Sequence, residues 1–535
     1  MTTGGTQRRP TGWRADAVRT AAIGLLTGAA LLFNQSAVHW RPNINDSHYY
    51  AYCGWRVSQG ARPYLDVWNN KPPGTWWVNT LGCYICGPGL GRELLICSAA
   101  VAIAIVGFVA VARTAYHRSL WLAALATGCV LLTHLRYECG GNRTETFVVP
   151  CEILAVLGYL RWRRSGRLRW LVFGGLFAGA APLFKQSGLA ALGACALHLA
   201  WSQLSRRRVG AERDPAKPWW VPWVVAGAAA ATLPGIAAAA LAAQGALGEA
   251  YFAIWKFNRA YFAVNDATWL GSRGAFAPYW AELPPLYGLY VVAGVGLVLA
   301  ALRSWVRVGP TVAAGVGREG VGVFWLWLLV AFYLACVGPG RLAYHLATTL
   351  APLGLLALYP LHWLLGGGDL GRRIVARPSM AVVVVIYLWV LLGVGDDSVG
   401  VARRCWLQKP HWYALRRKHP APYEVQAAEI KRRTRPHDTI YVWGWSPGTY
   451  RFAYRHSPSR FATLEKLGQV GQFAQFIIDG AIADIRRGPP AMFVISVGDL
   501  RALLAPPRSA FAQWVDRHYR DLGNFEGMHI LTWRE

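Results

Sequence analysis

Charge is scarce in this sequence: Asp, Glu, Lys and Arg make up 15% of the 535 residues, against roughly 25% in a soluble domain. Acids are scarcer still, with 27 Asp+Glu against 55 Lys+Arg. That shortage argues against a water-soluble globule. Metal-ligand spacing is missing too. The ten Cys are scattered, most of them inside apolar segments, where a free Cys behaves as a small hydrophobe. Cys83 and Cys86 form a CxxC with no second pair and no His cluster, so packing is the better reading and no metal site is assigned. There is no internal repeat and no low-complexity tract. Residues 396–535 hold neither a phosphate-cradling Gly loop nor a Ser/His/Asp or Cys/His constellation.

What the sequence does have is apolar length. It is 54% hydrophobic with 27 Trp and a mean hydropathy of +0.26. Apolar runs of about 20 residues recur between short Arg-rich breaks, the length a helix needs to cross about 30 Å of hydrocarbon. A net charge of +28 would suggest a nucleic-acid partner in a soluble chain. Here many of the cations sit in the short breaks, where they hold loops in the cytoplasm. No nucleic acid is expected.

Loop charge then orients the chain. Arg8, Arg9, Arg14 and Arg19 precede a first span, 21–38, that leaves the cytoplasm and is retained rather than cleaved as a signal peptide. Residues 39–91 are polar, aromatic and broken by Pro and Gly, a large external loop. Further spans are expected at 94–112, 120–133, 147–160, 170–184, 187–201, 219–243, 286–302, 324–337, 343–365 and 380–395, about eleven in all. The cluster Arg161, Arg163, Arg164, Arg167 and Arg169 is the strongest inside signal. Residues 244–282 form a second large external loop. The expected domains are a basic cytoplasmic N-terminus, 1–20, a transmembrane domain, 21–395, and an extracytoplasmic domain, 396–535. Arg403 and Arg404 strain this placement, although long domains cross largely regardless of charge. Short β-like runs at 439–443, 491–496 and 529–533, with helical stretches at 423–433 and 470–486, make the tail a small α/β domain. The fold class is therefore mainly α, a polytopic helical membrane protein with a small C-terminal α/β domain.

Ionisable groups near membrane depth are costly and usually functional, and here they gather on one side. Asp46 and His48 follow the first span, Asp66 and Lys71 close the first loop, Glu138, Arg143 and Glu145 cap the third and fourth, Lys185 caps the fifth, and Arg341 and His345 cap the ninth and tenth. Every one is external by a charge count made without them. A carboxylate among cations suits sugar transfer from a lipid phosphate: one group takes the acceptor proton and others neutralise the departing phosphate.

The segments Asp46-Ser-His-Tyr-Tyr-Ala-Tyr-Cys-Gly54, Gly60-Ala-Arg-Pro-Tyr-Leu-Asp66 and Asn70-Lys-Pro-Pro-Gly74 resemble the first external loop of C-type membrane glycosyltransferases, the superfamily of protein O-mannosyltransferases and aminoarabinose transferases. Thr144-Glu145, Phe184-Lys-Gln186 and Arg341-Leu-Ala-Tyr-His-Leu346 with Pro352 fit further stations of that pattern. The resemblance implies Asp46 as the base of an inverting displacement on a polyprenyl-phosphate sugar, with Asp66 as a second candidate catalytic acid. It implies Lys71, Lys185, Arg341 and His345 at the donor phosphate, and Arg143, Glu145, Tyr49 and Tyr344 as substrate-binding neighbours. Many relatives carry a second acid beside the first. Here Ser47 follows Asp46, which leaves a divalent cation open, and no cofactor is otherwise called for. The expected acceptor is a lipid, protein or glycan hydroxyl. The expected location is the bacterial plasma (inner) membrane, with the site on the extracytoplasmic face. The alternative is a transporter or flippase of a lipid-linked anionic substrate, which would place its polar residues nearer the midplane and in repeated halves.

Overall fold

In the computed structural model the described residues are 21, 24–28, 45–116, 120–134, 141–208, 218–264, 283–306, 316–337, 343–366, 379–408, 420–464 and 471–534. The expected first span falls largely outside them, as do Glu138 and Arg341. The expected first loop holds two helices, α1 (Asn45–Ser58) and α2 (Gly74–Cys86). The bundle is then built from α3 (Leu90–Ala115), α4 (Trp121–Leu132), α5 (Thr144–Ser165), α6 (Arg169–Ala180), α7 (Ala190–Arg208) and α8 (Val221–Ala243). The expected second loop comes next, with α9 (Leu247–Tyr251), a π-helical stretch (Phe252–Phe257) and α10 (Asn258–Val264). The chain returns through α11 (Tyr287–Val306), α12 (Val316–Val337), α13 (Ala347–Ala357), α14 (Tyr359–Gly366) and α15 (Ser379–Gln408). These helices overlap the apolar runs of the sequence, most ends differing by a few residues; α12 begins at Val316 rather than 324, and the expected span 343–365 is divided between α13 and α14.

By length and composition alone, Gly91–Ala115, Val221–Ala243 and Tyr344–Trp363 qualify as membrane spans, with shorter apolar helices at Trp121–Leu132, Arg169–Leu183, Pro284–Leu299 and Gly320–Cys336. The last helix, α15, does not stop at residue 395. It runs on to Gln408 and so carries Arg403 and Arg404 as part of a continuous helix. The inner faces of α3, α5, α12 and α13 meet in one apolar core that includes Phe108, Ile153, Trp327 and Leu350.

The C-terminal part adds α16 (Pro422–Arg433), β1 (Ile440–Trp443), α17 (Pro447–Ala453), α18 (Gly471–Arg487), β2 (Met492–Ser496), α19 (Val497–Leu504), α20 (Ala510–His518), β3 (Tyr519–Phe525) and β4 (Met528–Trp533). The strands order as β1-β2-β4-β3. β1 lies parallel to β2 with Ile440 opposite Met492, the α18 crossover supplying the connection a parallel pair needs. β4 runs antiparallel to both β2 and β3. Apolar patterning does not predict β3, because it is a half-exposed edge strand whose seven residues include Arg, Asp, Gly and Asn.

This unit does not stand apart. Its core residues Tyr441, Tyr450, Phe461 and Ile477 belong to one apolar cluster with Tyr49, Tyr52, Trp68 and Trp76 of the first loop and with Ala250 and Phe257 of the second. Backbone and side-chain bonds stitch the pieces together. Trp68 N–H donates to Arg460 O at 2.9 Å, and Ser457 N–H donates to the Tyr52 hydroxyl at 3.1 Å. The described residues of the two expected loops thus share one core with the C-terminal sheet.

Candidate active site

α1 begins at Asn45, so Asp46 falls in its first turn, where the helix dipole favours a carboxylate. Arg143 is the extended residue that precedes α5. From there its Nη1 donates to Asp46 Oδ2 at 2.6 Å, with the two side chains 10% and 17% exposed. Glu145 lies one residue into α5, again in a first turn. Its Oε2 accepts from Thr144 Oγ1 at 2.8 Å, and its Oε1 accepts from Lys185 Nζ.

Lys185 owes its position to a break in the helix. It is extended (φ −158°, ψ 143°) between two 3-10 turns, Ala181–Leu183 and Gln186–Leu189. The Lys71-Pro72-Pro73-Gly74 segment runs against the first of those turns. A Cβ on Gly74 would stand 2.6 Å from Leu183 O, so only glycine lets the two stretches of backbone approach. Lys71 is held further by Tyr64, whose hydroxyl donates to Lys71 O at 2.8 Å, and by Asn69 Oδ1, which accepts from Lys71 N–H at 3.0 Å.

Tyr344 and His345 complete the cluster from the 3-10 turn Ala343–Leu346 that leads into α13. The Tyr344 ring lies 4.1 Å from the Arg143 guanidinium carbon and 5.8 Å from Lys185 Nζ, distances at which a cation is attracted to the ring face. His345 meets Tyr344 edge-on at 4.6 Å. Lys185, Glu145, Lys71 and Arg143 all lie close enough to act on its charge. Its Nδ1 is buried and has no hydrogen-bond partner among the described residues. Among the described residues the cluster sets the cations Arg143, Lys185 and Lys71 beside the carboxylates Asp46 and Glu145.

Of the sequence candidates, the structure therefore brings together Asp46, Lys71, Arg143, Glu145, Lys185, Tyr344 and His345. Asp66 is placed elsewhere: its carboxylate accepts from Arg62 N–H at 2.8 Å and from Arg62 Nε and Nη2 at 3.0 Å. That hydrogen bonding holds its carboxyl below the usual range. Tyr49 also faces away, its hydroxyl donating to Trp68 O and its ring tilted on Trp445 at 5.6 Å. Its neighbour Tyr50 takes the facing position. Tyr50 is buried with Asp46, Tyr344, Glu145 and Arg143 around it, and its hydroxyl pKa is raised well above the usual value, first by burial and then by the Asp46 carboxylate. The helical i, i+4 spacing from Asp46 to Tyr50 is the signal that finds it. Among the described residues no group of three or more His, Cys, Asp or Glu side chains is arranged to hold a metal ion.

The fold that carries this cluster is similar to those of solved membrane glycosyltransferases. Residues 70–214 match the family model of dolichyl-phosphate-mannose-protein mannosyltransferases. Among solved structures the chain is similar to ArnT from Cupriavidus metallidurans bound to undecaprenyl phosphate, with a TM-score of 0.59 and 16% identity over 96% of this chain and 98% of that one. It is similar to the apo state of the same protein at a TM-score of 0.57 and 16% identity, covering 96% and 98%. The Archaeoglobus fulgidus oligosaccharyltransferase in its apo form aligns at a TM-score of 0.52 and 14% identity, covering 93% of this chain and 73% of that one. No curated protein sequence matches the chain.

Proposed function

We propose that this chain transfers a hexose or pentose from a polyprenyl phosphate to a hydroxyl acceptor on the extracytoplasmic face of a bacterial plasma membrane. The observation that carries the reading is the pairing of Asp46 with Arg143 inside a cluster that also holds Lys185, Lys71 and His345. ArnT, similar in fold, binds undecaprenyl phosphate, which supports a donor of that chemistry.

At rest each acid sits on a cation, Asp46 on Arg143 and Glu145 on Lys185. The phosphodiester of the donor competes for those cations, and its hold on a shared guanidinium strengthens as the sugar leaves and a second negative charge develops on the phosphate. Asp46 is then free to accept the acceptor's O–H proton. The acceptor oxygen attacks the anomeric carbon, the bond from that carbon to the phosphate oxygen breaks, and the electron pair leaves with the lipid phosphate. Arg143, Lys185 and Lys71 neutralise the charge that develops there. A single displacement inverts the configuration, since no glycosyl-enzyme forms. Arg341 lies outside the described residues, and its expected place at the phosphate is part of the same proposal.

The test is Asp46→Asn in proteoliposomes supplied with a polyprenyl-phosphate sugar and a hydroxyl acceptor. Transfer should fall by a factor on the order of 100 or more, as for loss of a general base. Retained transfer would overturn the base assignment. Translocation of the lipid without transfer, in wild type and variant alike, would favour a flippase.

A further inference from the structure

α1 has a second charged partner on the side opposite Asp46. About one half-turn beyond Asp46, His48 is buried, and its Nδ1 accepts from Arg451 Nη1 of α17. Arg451 Nη2 in turn lies 2.7 Å from Glu93 Oε1, with the two side chains 5% and 4% exposed. Glu93 stands in the first turn of α3, beside Arg92 Nη2 at 3.7 Å. Arg92 Nη1 also donates to Cys83 Sγ of α2 at 2.6 Å. A single guanidinium from the C-terminal unit therefore ties the base-bearing helix to the start of a bundle helix.

The packing around that guanidinium is tight. His48 meets Tyr423 edge-on at 4.7 Å and Phe452 at 5.6 Å, and Arg451 lies over the Phe452 ring at 5.0 Å. The backbone of α17 sits flush against His48: a Cβ on Gly448 would be 2.8 Å from Tyr423 Cγ and 3.2 Å from His48 Cδ2. Burying two guanidinium groups and a carboxylate is expensive and adds little net stability. Residues two apart on a helix point in roughly opposite directions, so what holds His48 from behind sets where Asp46 stands in front.

We infer that Arg451 is a positioning residue for the transfer reaction, acting through His48 and Glu93 to hold α1 so that Asp46 meets Arg143 and the acceptor. This rests on the glycosyltransferase reading above. A misplacement of about 1 Å at a reacting group costs on the order of 100-fold in rate. Donor binding, carried by Lys185 and Lys71 from other elements, is expected to stay.

The experiment uses the full-length protein in proteoliposomes, with Arg451→Met, Arg451→Lys and Glu93→Gln, and Arg508→Met on the exposed surface of the same unit as control. The expected result for Arg451→Met and Glu93→Gln is a kcat lower by roughly 10- to 100-fold with the donor KM within about threefold of wild type. Arg451→Lys should recover part of the loss, and Arg508→Met should leave kcat unchanged. Amide exchange over residues 45–58 should accelerate in Arg451→Met while residues 144–165 keep their protection. An unchanged kcat, or a fall in kcat matched by loss of donor binding and protection throughout the bundle, would overturn the inference. Should the wild type transfer no sugar, the proposed function fails, and exchange over residues 45–58 alone decides whether Arg451 holds α1.

Discussion

Arg143 is the residue whose removal tests the site most sharply, because the proposed cycle asks it to hold a carboxylate at rest and a phosphate in the transition state. The perturbation is Arg143→Gln, which keeps a hydrogen-bond donor and removes the charge. It breaks a 2.6 Å ion pair with Asp46 whose two side chains are 10% and 17% exposed. Two unit charges about 4 Å apart between their centres interact by about 4 kcal/mol at an effective dielectric near 20, and desolvation of both groups offsets a large part of that. A hydrogen bond to a charged group leaves about 1.5–3 kcal/mol of net interaction. If that interaction passes from Asp46 to the departing phosphate, its loss lowers kcat/KM by roughly 10- to 150-fold. The assay is release of polyprenyl phosphate and labelled sugar transfer in proteoliposomes, with Asp46→Asn and the double variant measured alongside. Because the two residues act as a pair, the double variant should be little worse than the poorer single one. Strict additivity of the two losses, or an unchanged kcat/KM in Arg143→Gln, would refute the exchange of partners.

Three further outcomes follow from the same geometry. Gly74→Val puts a branched side chain where even a Cβ would stand 2.6 Å from Leu183 O, so the Lys71 and Lys185 segments must separate; donor affinity measured by lipid binding should fall at least tenfold, a loss of about 1.4 kcal/mol or more. Asp66→Asn breaks a pair with Arg62 whose side chains are 55% and 33% exposed, so stability should change by less than about 1 kcal/mol and transfer should stay within about threefold of wild type; a larger fall in kcat would restore the catalytic role the sequence suggested. His456 accepts from Arg56 Nη1 at 3.1 Å, and burial, then Arg56 and Arg455, hold its pKa down at about 4 against an ordinary 6.5. A depressed folded-state value means that its stabilising effect is whole above about pH 6.5 and is lost as pH falls toward about 4. Screening at this half-buried site reduces the effect to about 1 kcal/mol between about pH 7 and 5, to be read as a melting-temperature difference that His456→Gln abolishes.

The bundle helices are legible in the sequence because length and apolarity are local properties: the run at 94–112 lies within Leu90–Ala115, and Val221–Ala243 covers all but the first two residues of the run at 219–243. The gathering of Asp46, Arg143, Glu145, Lys185 and His345 is legible for a related reason. Span counting sorts helix ends by side, and polar residues left on one side of a bundle of this width have few places to go. Tyr49 and Tyr50 show where that reasoning stops. Counting places both tyrosines on the external face, but only the helical angle from Asp46 says which one turns toward Arg143. Asp66 stops it differently, because a carboxylate four residues from Arg62 finds a local partner before it can reach a distant cluster.

What the sequence hides is the part of the site made by contacts across hundreds of residues. Arg451 lies 403 positions from His48, and no local pattern links them. Under the proposed reaction, the pairing gives the C-terminal unit a reason to pack on the residues that carry Asp46. α1 is a 14-residue helix whose buried tyrosines pack with the C-terminal unit rather than in the bundle core. One face pairs Asp46 with Arg143, a cation that the donor phosphate claims in the proposed reaction, which weakens the hold on that face. The opposite face is fixed by His48, Tyr52 and Arg56 to residues 451, 457 and 456 of the C-terminal unit, all of them outside the cluster around Arg143. In the proposed reaction Asp46 surrenders its resting partner to the substrate, and it keeps its place because its helix is anchored on the opposite face.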